Sequence, residues 1–363
     1  MIPILYLSHC GSSIGGGEKQ LAYLATNITR ERYQPLVVCP DDGVFVDYLR
    51  CAGIPTQVLA LPPWRQMKSL IARYRAAEKL TALAETHNAK LVHTSDSWLN
   101  PYLLHIRKQL EIPVISHVRT LLTTAQVQKY QFNQIDRIIA ISKESKTALT
   151  QAGTEAQKIH LILNCVDLNA FQPLPQSKRS TEYVVGIVGR IEPFKRQKEF
   201  IEIAAAVTAQ NKNVRFHIIG AALNTPEHLA YEQDVRQLVL KYQLQEFVQF
   251  RGHRTDIPNV MQELDLLVTL SAGSVIAEAM AAGKPVIGTP IGSTTDTVVH
   301  GLTGYVIPLQ PIETIANKIL ELATYPDLNI RIGQHARKHA EETFSIKAHV
   351  EKTQDVYEKL LNC

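Results

Sequence analysis

The chain has 363 residues, 45% of them hydrophobic and 20% charged, with a formal net charge of +4. That length gives room for two domains with real cores, and no tract is polar enough to argue for disorder. The small positive charge does not by itself point to nucleic acid, and Asp265 and Glu278 interrupt the best candidate for a membrane span. Cys10, Cys39, Cys51, Cys165 and Cys363 are scattered without metal-type pairing and read as reduced thiols. The N-terminus lacks the basic region and long apolar core of a signal peptide. The expectation is a cytoplasmic protein, at most peripheral to the inner face of a membrane.

Residues 2–8 form a compact apolar strand, and a glycine turn leads from it into an amphipathic helix over 19–28. Strand, glycine-rich loop and helix let backbone come close to a diphosphate, which draws attention to Gly16 and Gly17. The glycines are consecutive, so this is not the spaced dinucleotide fingerprint. Strands at 34–39, 56–61, 91–94 and 113–117 alternate with helices at 44–52, 66–84 and 101–109. That alternation predicts an α/β fold with a doubly wound parallel sheet. In the helix starting near Trp64, Arg65, Lys68, Arg75 and Lys79 gather near one face and Met67, Leu70, Ile71 and Tyr74 on another. Such a helix suits a plain solvated surface, or an anionic membrane that brings the protein to a lipid-linked partner. His117 closes a strand and Arg119 follows it, at the carboxyl edge where such sheets bind ligands, although a lone histidine is also a common packing residue. Beyond the strand at 138–141, Ser142 is a natural N-cap for a helix over 143–151, and a strand at 159–163 ends this half.

A linker is read at 171–181, after which the alternation starts afresh. The strand at 183–188 runs into Gly189, Arg190 and a loop reaching Lys195. Two cations at a strand's carboxyl end could neutralise a leaving diphosphate, or could be solvated surface charges. Helices at 197–210, 228–242 and 257–263 alternate with strands at 214–219, 247–251 and 266–270. Then Ser271-Ala272-Gly273-Ser274 opens a short helix over 275–282, with Glu278 one turn inside it. Free N–H groups at such a turn suit a phosphate, and a carboxylate so placed can accept ribose hydroxyls. The alternative is an ordinary helix–strand unit with glycine at its turns. A strand at 285–287, a second small-residue turn and three long amphipathic helices at 312–324, 330–344 and 346–361 complete the chain.

In this order, several pieces resemble the retaining glycosyltransferases of family 4, also called group 1. They are Gly15-Gly16-Gly17-Glu18, His117, Arg137 to Ser142, Asn164 with Val166-Asp167, Val188-Gly189-Arg190 with Lys195, Phe250 to Gly252, Ala277 to Val286, and Gly301-Leu302-Thr303-Gly304. The resemblance implies a GT-B fold of two doubly wound Rossmann-like domains facing across a cleft. An acceptor-side domain would occupy 1–170, with the helix at 346–363 packing back on it, and a donor-binding domain would occupy 182–345. It also implies transfer of a hexose-type sugar, with retention, from a UDP- or GDP-linked donor to a glycan or lipid-linked acceptor. Gly16 and Gly17 would touch the diphosphate, and Arg190 and Lys195 would hold it as catalytic cations. His117 would serve catalysis beside the donor sugar. Gly252, Ser274, Val275 and Glu278 would complete donor binding, with Glu278 on the ribose. The donor phosphate would receive the acceptor's proton, and neither a cofactor, a metal nor nucleic acid is expected.

Two departures stand out. The family usually carries a second Glu eight positions before Glu278, where this chain has Leu270, and the stretch from Asp265 to Gly273 looks about four residues short. Cys165 stands where the family often has a glycine, and cysteine tolerates positive φ poorly, so that turn is expected to be reshaped. The missing Glu keeps a catalytically idle nucleotide-sugar-binding partner subunit in view, and a nucleotide-sugar epimerase is a rival within the fold.

Overall fold

The computed structural model of the protein describes residues 1–64, 70–173 and 182–361. The helical positions Arg65, Met67 and Lys68, most of the expected linker and Cys363 lie outside the described residues. The chain divides into two compact units, Met1–Cys165 with Ile346–Cys363, and Val166–Ser345.

The first unit runs β1 (Ile2–Leu7), α1 (Gly16–Asn27), β2 (Tyr33–Cys39), α2 (Val44–Cys51), β3 (Thr56–Val58), α3 (Leu70–Thr86), β4 (Leu91–Thr94) and α4 (Asn100–Leu110). It continues with β5 (Val114–Val118), α5 (Thr124–Lys129), β6 (Arg137–Ala140), α6 (Lys143–Gln151) and β7 (Ile159–Leu161). All strands are parallel, in the order β3-β2-β1-β4-β5-β6-β7. Successive side chains of β1 alternate between faces: Leu5 and Leu7 join Leu80 of α3 and Leu103 of α4, while Ile4 and Tyr6 join Leu21 of α1 and Phe45 of α2. Burial on both faces is why these strands read as unbroken apolar runs.

The second unit runs β8 (Tyr183–Val188), α7 (Gln197–Thr208), β9 (Val214–Ile219), α8 (Pro226–Lys241), β10 (Val248–Gly252), α9 (Ile257–Glu263), β11 (Leu266–Thr269) and α10 (Val275–Ala281). It ends with β12 (Val286–Gly288), α11 (Thr294–Thr297), β13 (Gly304–Val306), α12 (Ile312–Thr324) and α13 (Pro326–Thr343). Its sheet is also parallel, ordered β10-β9-β8-β11-β12-β13. Val185, Ile187, Phe200, Val235 and Ile319 share its main core. The last helix, α14 (Ile346–Leu361), belongs to the first unit, where Val350, Val356 and Tyr357 enter the core beside α1. No described helix is long and apolar enough to cross a membrane.

Each sheet therefore reverses its strand order once, between β1 and β4 in the first unit and between β8 and β11 in the second. Loops leaving the two strands at such a point turn to opposite sides and open a crevice at the carboxyl edge.

Several elements differ from the sequence expectation. The short strand β13 was not expected, because three residues beginning with glycine carry no periodic signal. Helix α5 was not expected either, nor was the helical turn α11, which begins just past the small-residue turn. Helix α13 starts four residues early, with Pro326 at its first turn, where proline's fixed φ and missing N–H are compatible with a helix.

Helix α13 crosses the end of α10 at Gly333, where a Cβ would lie only 2.2 Å from the carbonyl oxygen of Gly283. That atom is backbone and cannot step aside. Gly333→Ala is expected to destabilise the second unit by about 2 kcal/mol, lowering its Tm by roughly 5 °C in thermal unfolding. An unchanged Tm would show that the helices slide apart freely.

Candidate active site

In the second unit, the loops after β8, β9 and β10 are tied together by backbone. Gly189 N donates to Ile219 O at 2.9 Å, and Gly220 N donates to Gly252 O at 2.8 Å. A Cβ on Gly220, whose φ is +144°, would sit 1.8 Å from the Gly189 carbonyl oxygen, so only glycine permits this approach. Gly252, at φ +66°, closes a bulged end of β10 and is exposed.

The stem of Lys195 lies along Gly189, and its Nζ donates to the carbonyl of Ala272 at 2.9 Å. This bond joins the loop after β8 to the loop after β11, across the reversal point of the sheet. Among the described residues no carboxylate lies within 4 Å of Nζ, and burial lowers the ammonium's pKa, opposed by Glu192 and aided by Arg190. Arg190 presents an exposed guanidinium, with Nη2 at 3.2 Å from Glu192 Oε1. Beyond Ala272, Ser274 occupies the N-cap of α10 without capping it through its hydroxyl; Val275 is buried and Glu278, partly exposed, stands in the first turn. The structure thus gathers Arg190, Lys195 and the start of α10 at one sheet edge. Leu270 is fully buried in the core, so the connection over 270–274 brings no carboxylate where the sequence suggested one was missing.

At the first sheet's edge, α1 begins at Gly16, which is exposed, and Gly17 lies beside Arg119 and His9. Arg119 donates from Nε to Ser95 O at 3.1 Å and from Nη1 to Asn164 Oδ1 at 3.0 Å, and its Nη2 is 3.3 Å from His117 Nδ1. With no carboxylate within 4 Å among the described residues, its guanidinium is pushed by burial to a pKa of about 10.

His117 is buried and stacks between two further imidazoles, at 5.6 Å from His93 of β4 and 6.4 Å from His349 of α14. His93 Nδ1 meets the Tyr357 hydroxyl at 2.6 Å, that hydroxyl meets Tyr6 at 3.2 Å, and His349 Nδ1 donates to Leu163 O at 3.0 Å. Desolvation keeps all three rings neutral, with pKa values lowered to about 3 for His93, to about 4 for His349 and well below the ordinary value for His117. The amphipathic pattern of α14 hid His349, since a histidine on an apolar face gives no signal of what it will meet. His9 was also missed; its position just past the first strand was the available clue.

Cys165 takes no left-handed φ, so the turn does not follow a glycine pattern. It is held instead by Gln20, which donates from Nε2 to Cys165 O at 2.7 Å and accepts from Cys165 N at 2.8 Å.

Residues 14–170 match the family described as Glycosyltransferase Family 4, and residues 171–339 match Glycosyl transferases group 1. The chain belongs to the group 1 glycosyltransferases. The UDP-Gal:alpha-D-GlcNAc-diphosphoundecaprenol alpha-1,3-galactosyltransferase of Escherichia coli is 24% identical over 356 residues, covering 91% of this chain and 90% of that protein. The N-acetyl-alpha-D-glucosaminyl L-malate synthase of Bacillus anthracis is 22% identical, covering 78% of each. Among solved structures, Anabaena HepE in complex with UDP-glucose superimposes with a TM-score of 0.85 at 25% identity, covering 100% of both chains. These matches bear out the GT-B fold class and the glycosyltransferase reading.

For this glycosyltransferase, the imidazole stack ties stability to pH. Each ring's pKa falls from an unfolded value near 6.5, so the unfolded chain binds these protons first. Their contribution is therefore full above pH 6.5 and is lost as pH falls towards about 4. His349→Gln is expected to flatten the fall of Tm between those limits relative to wild type, by about one proton's worth of slope. Parallel Tm curves would mean that His349 is already solvated.

Proposed function

We propose that the protein transfers a hexose, with retention, from a UDP-sugar to a lipid-linked glycan acceptor in the cytoplasm. The observation that carries the donor half is Lys195, held across the crevice of the second sheet by a neutral carbonyl. A half-buried ammonium with no carboxylate in contact among the described residues gains most from an arriving anion, and a diphosphate would replace the Ala272 contact with charge-assisted ones. Arg190, exposed on the same loop, can join it. Together they would stabilise the charge that develops as the sugar–phosphate bond breaks, the role a metal ion takes elsewhere. Glu278 is assigned to the ribose, Gly16 and Gly17 to the diphosphate, and Gly252, Ser274 and Val275 to the donor. His117 is assigned to a donor-sugar hydroxyl, as a neutral hydrogen-bonding ring. UDP over GDP is supported by the UDP-glucose complex of HepE, and the lipid-linked acceptor by the name of the Escherichia coli relative.

The test is nucleoside diphosphate release from a panel of UDP- and GDP-sugars with alpha-D-GlcNAc-diphosphoundecaprenol as acceptor. Release from one UDP-hexose is expected, unaffected by a chelator and reduced about 10²- to 10³-fold in Lys195→Ala. Binding without release from any donor would replace this reading with the idle binding subunit that buried Leu270 keeps open.

The start of α3 supports a peripheral membrane contact. Leu70, Ile71 and Tyr74 are exposed at 61%, 71% and 61%, with Arg75 and Lys79 also exposed on this helix. Apolar side chains edged by cations fit an anionic bilayer surface. Ile71→Glu combined with Tyr74→Glu is expected to reduce co-sedimentation with phosphatidylglycerol vesicles about tenfold, with UDP affinity unchanged. Equal sedimentation would assign this face to solvent.

A further inference from the structure

The reversal point of the first sheet holds a histidine–carboxylate group that the donor chemistry does not use. His9 leaves β1, Glu18 stands in the first turn of α1, and Asp96 follows β4. His9 Nδ1 faces Glu18 Oε1 at 3.2 Å and Asp96 Oδ2 at 3.9 Å. Glu18 is buried, at 4% exposure, and its Oε2 accepts from Gly15 N at 2.9 Å. Among the described residues its Oε1 has no hydrogen-bond partner, and His9 Nδ1 is the nitrogen nearest to it. Asp96 is fixed from the other side, Oδ1 accepting from Trp98 N at 3.0 Å. The ring itself is 41% exposed.

A hydrogen on Nδ1 suits the two anchored carboxylates it faces and leaves Nε2 of this partly exposed ring with a lone pair. A buried carboxylate oxygen with no other donor would be costly without it. Space beside the ring is kept by Gly17, where a Cβ would lie 3.8 Å from His9 Cε1 and 3.5 Å from Arg119 Cδ. Arg119 in turn touches His117. His9 therefore belongs to the same sheet edge as the ring assigned to the donor sugar.

We propose that His9 anchors the acceptor, Nε2 accepting a hydrogen bond from a sugar hydroxyl, while Glu18 and Asp96 position the ring. The inference rests on the transferase reading above and adds the acceptor contact that reading lacks. The charged groups facing the ring are Glu18 from α1, Asp96 from the loop after β4 and Arg119 from the loop after β5.

The experiment measures acceptor KM, kcat and UDP affinity for wild type, His9→Ala and His9→Gln, using the UDP-hexose and lipid-linked acceptor on which wild type turns over. His9→Ala is expected to raise acceptor KM about tenfold with UDP affinity unchanged. His9→Gln keeps an acceptor oxygen and an amide donor for Glu18. It is expected to stay within about threefold of wild type. An unchanged KM in both variants, or an equal loss of UDP affinity, overturns the assignment. If His9→Ala does not fold, His9→Phe, which keeps a ring but has no acceptor nitrogen, takes its place with the same expected rise in acceptor KM. A wild-type protein that releases no UDP would instead defeat the transferase reading.

Discussion

Strands buried on both faces leave only their ends available to ligands. Every strand of both sheets runs parallel, helices cover the faces, and polar side chains that must meet a substrate collect at the carboxyl edges. The crevices at β1/β4 and β8/β11 follow from the strand order. What the individual residues add is convergence. In the second unit, glycine at positions 189 and 220 lets two loops approach until their backbones touch, and the third is drawn in through Gly252. Lys195 lies along that glycine surface and reaches the fourth loop.

The two edges handle charge in opposite ways. The second holds Lys195 on a neutral carbonyl and Arg190, exposed, against Glu192 alone, so an incoming anion is favoured at Lys195. The first places one arginine among neutral partners, Ser95, Asn164 and His117, and surrounds it with imidazoles that cannot take a proton without charging the interior. The histidines remain neutral hydrogen-bonding groups, and Glu18 and Asp96 supply the negative charge nearby. A sugar hydroxyl needs donors and acceptors and gains little from full charges, so this edge suits polar uncharged chemistry.

Much of the architecture was legible because doubly buried strands leave an unmistakable apolar signature. The alternation gave both sheets, and Ser142 caps α6 as its position suggested, accepting from Ser145 N at 3.0 Å. The departure at Leu270 was also readable, since a leucine cannot replace a carboxylate. Elements of three or four residues, β13 and α11, were not legible, because tertiary contacts alone hold them. The His93–His117–His349 stack was beyond reach for another reason. Its members are separated by 24 and 232 residues, and only the sheet order and the return of α14 unite them. The turn at Cys165 needed Gln20, equally remote in sequence.

The discontinuity of the first unit also sets an order of assembly during synthesis. Tyr357 and His349 are translated after the whole of the second unit, yet they close the polar core around Tyr6, His93 and His117. Until α14 emerges from the ribosome, that face of the first sheet has α1 and α2 but lacks the rest of its cover. The second unit, continuous from Val166 to Ser345, can complete its core earlier. A nascent chain would therefore hold a finished second unit while the first still lacks the helix that closes its core, which makes this interval the stage at which a chaperone has an apolar surface to recognise.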